Sequence, residues 1–374
     1  MFLIIVPVLV PYFLSLGLSM EEIFIVQACF GLAMAVFEVP SAYLGDLWGR
    51  KHVMLLGSFI TGVASSLLLV AKDFTGLLIY EILLGIGASF VSGAGVSILY
   101  DSLKDKPDEQ LKAMGNFQTS SLVGESIAGI VCALLILNSY AFVVWGQVIV
   151  AWVPFFIALS IIEPKIEKMN KKAHFDNLKE VLSYIFIDNS FIRLIFINMV
   201  LWSLSTFYAI WIIQKYWQDQ SISLSMIGIL WASCNLIAAI TTKKTVSLER
   251  RFGPRKLLIV MCLLPILAYI LMGTVGGVLG VASCSFFYLS RGINTVLMRD
   301  AFNSRIKSKF RNTANSMISL FFRFGFFLTG PLIGWLIDKN GIETTLVWIG
   351  MFYLICFVFL TLPFIRKVTG NAEA

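Results

Sequence analysis

Charge is scarce in this chain. Only 14% of its 374 residues are Asp, Glu, Lys or Arg and 58% are apolar, whereas a soluble domain carries roughly a quarter charged residues. No water-facing surface can be built from that balance, which excludes a soluble enzyme, a nucleic-acid binder and a disordered protein. Histidine is scarcer still: His52 and His174 stand alone, both beside polar or basic loops. Neither a histidine metal centre nor a serine–histidine triad has the material it needs. The six cysteines all fall inside apolar stretches with no CxxC spacing, so they read as small buried hydrophobes rather than zinc ligands or a disulfide framework. No GxxxxGK[ST] motif occurs, so no nucleotide-driven cycle is written into the chain. These absences predict no enzyme activity, no metal and no cofactor.

Long apolar runs are what the chain has in abundance. Mean hydropathy is +0.85, and cutting at polar breaks gives segments near 2–18, 23–43, 52–71, 76–100, 114–137, 139–162, 191–213, 225–242, 257–275, 276–298, 313–335 and 344–365. Runs of that length fit membrane-spanning helices and not the alternating strands of a barrel. The expected fold is therefore an all-α integral membrane protein with twelve transmembrane helices. Lys and Arg supply the net charge of +7, and they collect in alternate loops: Arg50 and Lys51, Lys104 to Lys112, Lys165 to Lys179, Lys243 to Lys256, Arg299 to Arg311, and the tail. The positive-inside rule then places both termini in the cytoplasm of a multi-pass protein, expected in a bacterial cytoplasmic (inner) membrane.

One connection is unlike the others. Residues 163–190 are long and polar, with an amphipathic stretch from His174 to Ile187 that suits the cytoplasmic interface. They divide the chain into an N-terminal six-helix bundle, 1–162, and a C-terminal one, 191–374. The first span opens at Phe2 with nothing basic before it and no small-residue cleavage site, which points to an earlier start rather than a signal peptide.

Between spans 2 and 3 the chain reads Gly45-Asp46-Leu47-Trp48-Gly49-Arg50-Lys51. Two antiparallel helices joined so tightly need a residue free to take positive φ, which Gly49 supplies, while Asp46 and Arg50 stand where charges can pair across a gate. Loop 8–9 echoes it as Glu249-Arg250-Arg251-Phe252-Gly253-Pro254-Arg255-Lys256, and Asp101 after span 4 is matched by Asp300 after span 10. Such correspondence is expected of two halves related by an axis along the membrane normal. In these residues the chain resembles the major facilitator superfamily. Its Ser92 to Leu103 segment and Arg311-Asn312-Thr313 resemble bacterial drug/proton antiporter-like members. The resemblance implies two pseudo-symmetric six-helix bundles and a cytoplasmic gate formed by Glu38, Asp46, Gly49, Arg50, Lys51 and Asp101. It further implies that Asp46 faces the start of span 11 at Asn312-Thr313, and Arg50 is expected to pair with Asp101.

Six charges lie at membrane level: Glu38, Glu81, Glu125, Arg193, Arg291 and Arg323. Each costs at least about 2.5–3.5 kcal/mol there unless paired or watered, which makes each a functional candidate. Arg193 is near a span end and can snorkel. Glu81 lies close enough to the outer end of span 4 to meet external water. Glu125, on a face with Gln118 and Ser121, is mid-bilayer, so Glu125, Glu38 and Glu81 are the candidates for proton coupling. Spans 7 and 10 present Trp202, Thr206, Tyr208, Gln214, Tyr288 and Arg291. In the resembling family these spans line the central cavity, so with Arg323 they are the substrate-cavity candidates, against a plain packing role for each aromatic. The antiporter glycine–proline pattern is missing from span 5, and a similar one, Gly330-Pro331, stands on span 11.

The expected function is a secondary active transporter that moves a small organic molecule by alternating access, with proton-coupled efflux as the first reading. An importer or facilitator of a metabolite or siderophore-like ligand, and a transport-inactive signalling or scaffold protein, stay open beside it. The expected partners are a small-molecule substrate, the proton gradient and the lipid bilayer, without nucleic acid, the chain working as a monomer.

Overall fold

The computed structural model describes residues 3–103, 107–163, 180–307 and 310–370, and it is all-α, with no strand among them. A 3-10 turn at Val6–Val8 leads into α1 (Leu9–Ser15). There follow α2 (Met20–Trp48), α3 (Arg50–Leu67), α4 (Phe74–Ser102), α5 (Pro107–Leu135) and α6 (Tyr140–Ser160). After the connection come α7 (Ser190–Asp219), α8 (Leu224–Phe252), α9 (Pro254–Thr274), α10 (Gly277–Ser283), α11 (Ser285–Asn303), α12 (Arg311–Asn340), α13 (Ile342–Cys356) and α14 (Leu362–Gly370). Eight helical stretches among the described residues are long and apolar enough to cross a membrane, one of them running from α13 into α14. With α1, α3, α5 and the α10–α11 pair they make up the twelve spans.

Local chemistry sets the helix ends. Ser19 and Glu22 form a capping box at the start of α2, the Ser19 hydroxyl accepting from the Glu22 amide at 3.2 Å and the Glu22 carboxylate from the Ser19 amide at 2.9 Å, which satisfies two otherwise orphaned donors. Two spans are not single continuous α-helices. Span 10 is divided at Cys284 into α10 and α11, and the Ser283 hydroxyl and Cys284 thiol both turn back on the Gly280 carbonyl. Span 12 contains a π-helical turn, Phe357–Thr361, between α13 and α14. Span 8 also runs further than its apolar stretch, because α8 stays helical through Lys243 and Lys244 to Phe252.

The helices group into two compact units. The first is Met1–Asn170 with Ile222–Ser233 and Phe326–Gly334, and the second is Lys171–Ser221, Cys234–Gly325 and Trp335–Ala374. In the first, α4 packs on α2 and α3, and α3 on α6. It also takes in the start of α8, which crosses α5 backbone to backbone: a Cβ on Gly129 would lie 2.9 Å from the Gly228 carbonyl oxygen, and one on Gly228 would lie 2.8 Å from that of Gly129. Small residues permit such an approach, which substitutes van der Waals contact for the hydrophobic drive that lipid cannot give. The Ser225 hydroxyl fixes the crossing by donating to the Ala133 carbonyl at 2.8 Å.

In the second unit α9 packs on α13 and α11, and α11 on α7. Its core is aromatic: Tyr269 stacks on Tyr353 with centroids 6.3 Å apart, and Trp202 meets Tyr353 at 5.6 Å. The connection is expected to lie along the interface from His174 to Ile187, and its described part packs on the second unit instead. Residues 164–179 lie outside the described residues. Beyond them Val181 and Ile185 are fully buried, and a π-helical turn, Tyr184–Asp188, is fastened to the second unit. Phe186 packs on Phe196 and Phe321, and the Arg193 guanidinium donates to the Phe186 carbonyl at 2.7 Å.

Candidate functional site

The first turn of interest is a single residue. Gly49, at φ 95° and ψ 147°, ends α2 and starts α3, in a region essentially reserved for glycine. The side chains around it tie the turn to its own unit. A carboxylate oxygen of Glu163, just beyond α6, accepts from the Arg50 backbone amide. The Arg50 guanidinium donates to the Ser97 carbonyl of α4 at 2.9 Å, and the Lys51 ammonium to the Leu159 carbonyl of α6 at 2.9 Å. Sequence reasoning singled out Gly49, Arg50 and Lys51 but passed over Glu163, whose position after a span gave no signal of what it would meet. The side chains of Asp46, Asp101 and Asn312 lie outside the described residues, so the pairings of Asp46 with Asn312-Thr313 and of Arg50 with Asp101 are left as expectations. Glu38 is half-buried, and its carbonyl accepts from the Ser41 hydroxyl at 2.9 Å beside Pro40.

Gly253 repeats the turn in the other half at φ 79° and ψ 152°. The backbone bonds repeat too: Gly49 and Gly253 amides donate to the Gly45 and Glu249 carbonyls, and Val53 and Leu257 amides to the two glycine carbonyls. Here, however, Arg250, Arg251, Arg255 and Lys256 are exposed, and the contact made is that of the Arg251 guanidinium over the Phe252 ring at 5.4 Å.

Among the membrane-level acids Glu81 stands apart. It is 2% exposed, so it does not reach external water as its place in the sequence suggested. Its carboxylate accepts from the Gln27 amide of α2 at 2.7 Å, and Gln27 is itself buried. No cation bonds to it among the described residues. Gln27 is the partner that sequence reasoning missed, because a glutamine within an apolar run carries no charge to mark it. Glu125 is half-buried, and the side chain of Gln118 beside it lies outside the described residues.

The cavity candidates separate by burial. Trp202 is wholly enclosed; its indole N–H donates to the Thr361 hydroxyl at 3.0 Å, and that hydroxyl donates to the side-chain oxygen (Oδ1) of Asn198 at 2.6 Å. This places it in the packed core of the second unit. Thr206, Tyr208, Gln214 and Tyr288 are buried as well, the Thr206 hydroxyl and Gln214 amide turned onto the Ser203 and Ile210 carbonyls of their own helix. Arg291 and Arg323 are the cavity candidates that keep partial exposure. Beside Arg291, Asn294 of α11 donates its amide to the Ser203 hydroxyl of α7 at 3.0 Å.

Known proteins fit this architecture. An uncharacterised MFS-type transporter of Methanocaldococcus jannaschii, MJ1560, is 22% identical over 365 residues, 94% of this chain and 91% of its own length. A probable L-galactonate transporter of Escherichia coli is 25% identical over 148 residues, which is 40% of this chain and 30% of that protein. Among solved structures, a point mutant of the nucleoside transporter NupG superposes with a TM-score of 0.83 at 13% identity, covering 98% of this chain and 96% of that one; the likeness is one of fold. The family model of the Major Facilitator Superfamily matches residues 1–306. With twelve helical spans and the same one-residue glycine turn at Gly49 and Gly253, the chain is a multi-pass membrane transport protein that belongs to the Major Facilitator Superfamily.

Proposed function

We propose that this protein is a proton-coupled secondary transporter that exports a small organic molecule by alternating access, with Glu81 as its proton carrier. The observation that carries this reading is the burial of Glu81 against Gln27. An ionised carboxylate at membrane level costs at least about 2.5–3.5 kcal/mol, and an amide supplies a dipole but no compensating charge. Binding and release of a proton there require the site to meet water in turn, which alternating access provides. Glu125 and Glu38, both partly exposed, are better placed as gate groups than as the carrier. Export follows the resemblance to bacterial antiporter-like members, and the E. coli relative named for a sugar acid supports a small organic solute. The chain works as a monomer in the cytoplasmic membrane, with both termini inside.

The test is accumulation of dyes, drugs and organic acids in inverted vesicles under an imposed proton gradient, comparing the parent with Glu81→Gln, Glu125→Gln and Glu38→Gln. Glu81→Gln is expected to abolish gradient-driven accumulation while leaving solute counterflow in place. Retention of full coupling by Glu81→Gln would overturn the assignment.

A further inference from the structure

The membrane-level charges are segregated by sign. Glu38, Glu81 and Glu125 lie on α2, α4 and α5, where no Lys or Arg shares their level; Arg193, Arg291 and Arg323 lie on α7, α11 and α12. The helices around Arg291 carry acids only toward their ends: Asp219, Glu249, Asp300, Asp338 and Glu343. None lies on α9 at all.

Lys243 and Lys244 join this group through the structure. A Cβ on Gly292 of α11 would lie 2.9 Å from both the Ala238 carbonyl oxygen and the Thr241 Cβ of α8, so the two helices touch one residue beyond Arg291. The lysines follow Thr241 by two and three positions, about 3–5 Å along the axis. Both are exposed and Arg291 is half-buried. Among the described residues none of the three cations makes a side-chain hydrogen bond or ion pair. Arg291 precedes Arg299 by eight residues, about 12 Å, which is beyond the reach of a snorkelling side chain.

We infer that the transported molecule is an organic anion whose acid group is held by Arg291, with Lys243 and Lys244 on the adjoining part of α8 raising its concentration there. A guanidinium at membrane level whose own helix carries no acid nearer than Asp300 is stable in contact with water and a mobile anion, Lys243 and Lys244 add positive potential from the end of α8, and a guanidinium offers the planar fork that a carboxylate or phosphate fits. Three positions along α11, on the same side of the helix, the side-chain amide oxygen (Oδ1) of Asn294 is buried without a hydrogen-bond donor among the described residues. It suits a hydroxyl or N–H on the same solute. This inference rests on the reading of the chain as a transporter of a small organic molecule and is independent of Glu81. The inside-negative membrane potential would drive such an anion outward.

The experiment measures thiol modification in Thr295→Cys and Thr242→Cys variants, with Cys29 and Cys356 replaced by Ala, using anionic sulfonatoethyl and cationic trimethylammonium-ethyl methanethiosulfonates. Thr295 and Thr242 are both half-buried neighbours of the cluster. The anionic reagent is expected to react at least about tenfold faster, in the range that local fields produce. The ratio should approach one when Arg291→Gln, Lys243→Gln and Lys244→Gln are combined. Gluconate and benzoate are expected to slow the reaction where glucose and methyl viologen do not. Failure of both reagents at both positions, a cationic preference, protection by neither acid, or equal protection by glucose or methyl viologen would each overturn the inference. Glu81→Gln should leave the ratio unchanged, so the proton reading can fail while this one stands, and the reverse.

Discussion

The turns at Gly49 and Gly253 share a backbone and differ in everything that surrounds it. Both reverse the chain in one residue at nearly the same φ and ψ. At the first, a carboxylate and two cations fasten α3 to α4 and α6; at the second, four cations face solvent. The halves follow the same division deeper in the membrane, acids in one and cations in the other. A repeat therefore conserves the geometry that the fold requires while leaving the charge pattern free to specialise.

The comparison breaks most visibly at the glycines themselves. Gly49→Ala and Gly253→Ala each force a side chain into a backbone region that costs about 1–3 kcal/mol. At Gly253 nothing else lies within 4 Å, whereas at Gly49 the new Cβ would fall 2.6 Å from the Glu163 carboxylate and displace it. Thermal unfolding in detergent should show the larger loss for Gly49→Ala; equal losses would mean that the Glu163 contact adds nothing to the turn.

A smaller effect is expected where the second unit keeps its own polar tie, inside its core rather than at a turn. Thr361→Val removes the hydroxyl that accepts from Trp202 and donates to Asn198. It leaves a buried N–H and a buried carbonyl oxygen unsatisfied, at a cost of about 1–3 kcal/mol. Thr361→Ser keeps both bonds and should recover most of that loss. A valine variant as stable as the parent would show that the chain Trp202–Thr361–Asn198 contributes no stability.

Much of this architecture is legible in the sequence because a bilayer imposes length, hydropathy and loop charge on each span separately. The turn glycines are legible for a similar reason: a one-residue reversal narrows the choice to glycine. What the sequence does not reveal is which face of a helix turns inward. Lipid and protein core are both apolar, so the periodicity that marks the buried side of a soluble helix fades here. Trp202 therefore read as a cavity residue although it is enclosed, and Glu81 as water-accessible although Gln27 covers it. The break at Cys284 and the π-turn at Phe357–Thr361 do have neighbours of the kind that usually marks a helix defect, Gly280 and Pro363, but prolines and glycines recur along most of these spans, so neither residue singles out its place.

Glu163 sharpens the comparison with the least disturbance. Its carboxylate accepts from the Arg50 amide at the first position of α3, where a helix has no intrahelical acceptor for that N–H. Glu163→Gln keeps an acceptor of the same length but loses the charge that suits a helix N-terminus, so a loss below about 1 kcal/mol is expected. Glu163→Ala leaves the amide to water and should cost about 1 kcal/mol. Because the Gly253 turn has Pro at the position of Arg50, it has no such N–H to satisfy and needs no equivalent acid. Amide exchange at Arg50, measured against the backbone amides that flank Gly253, should rise in Glu163→Ala and leave the second turn unchanged. A parallel rise at both turns would mean that Glu163 acts on the whole protein rather than on this one amide.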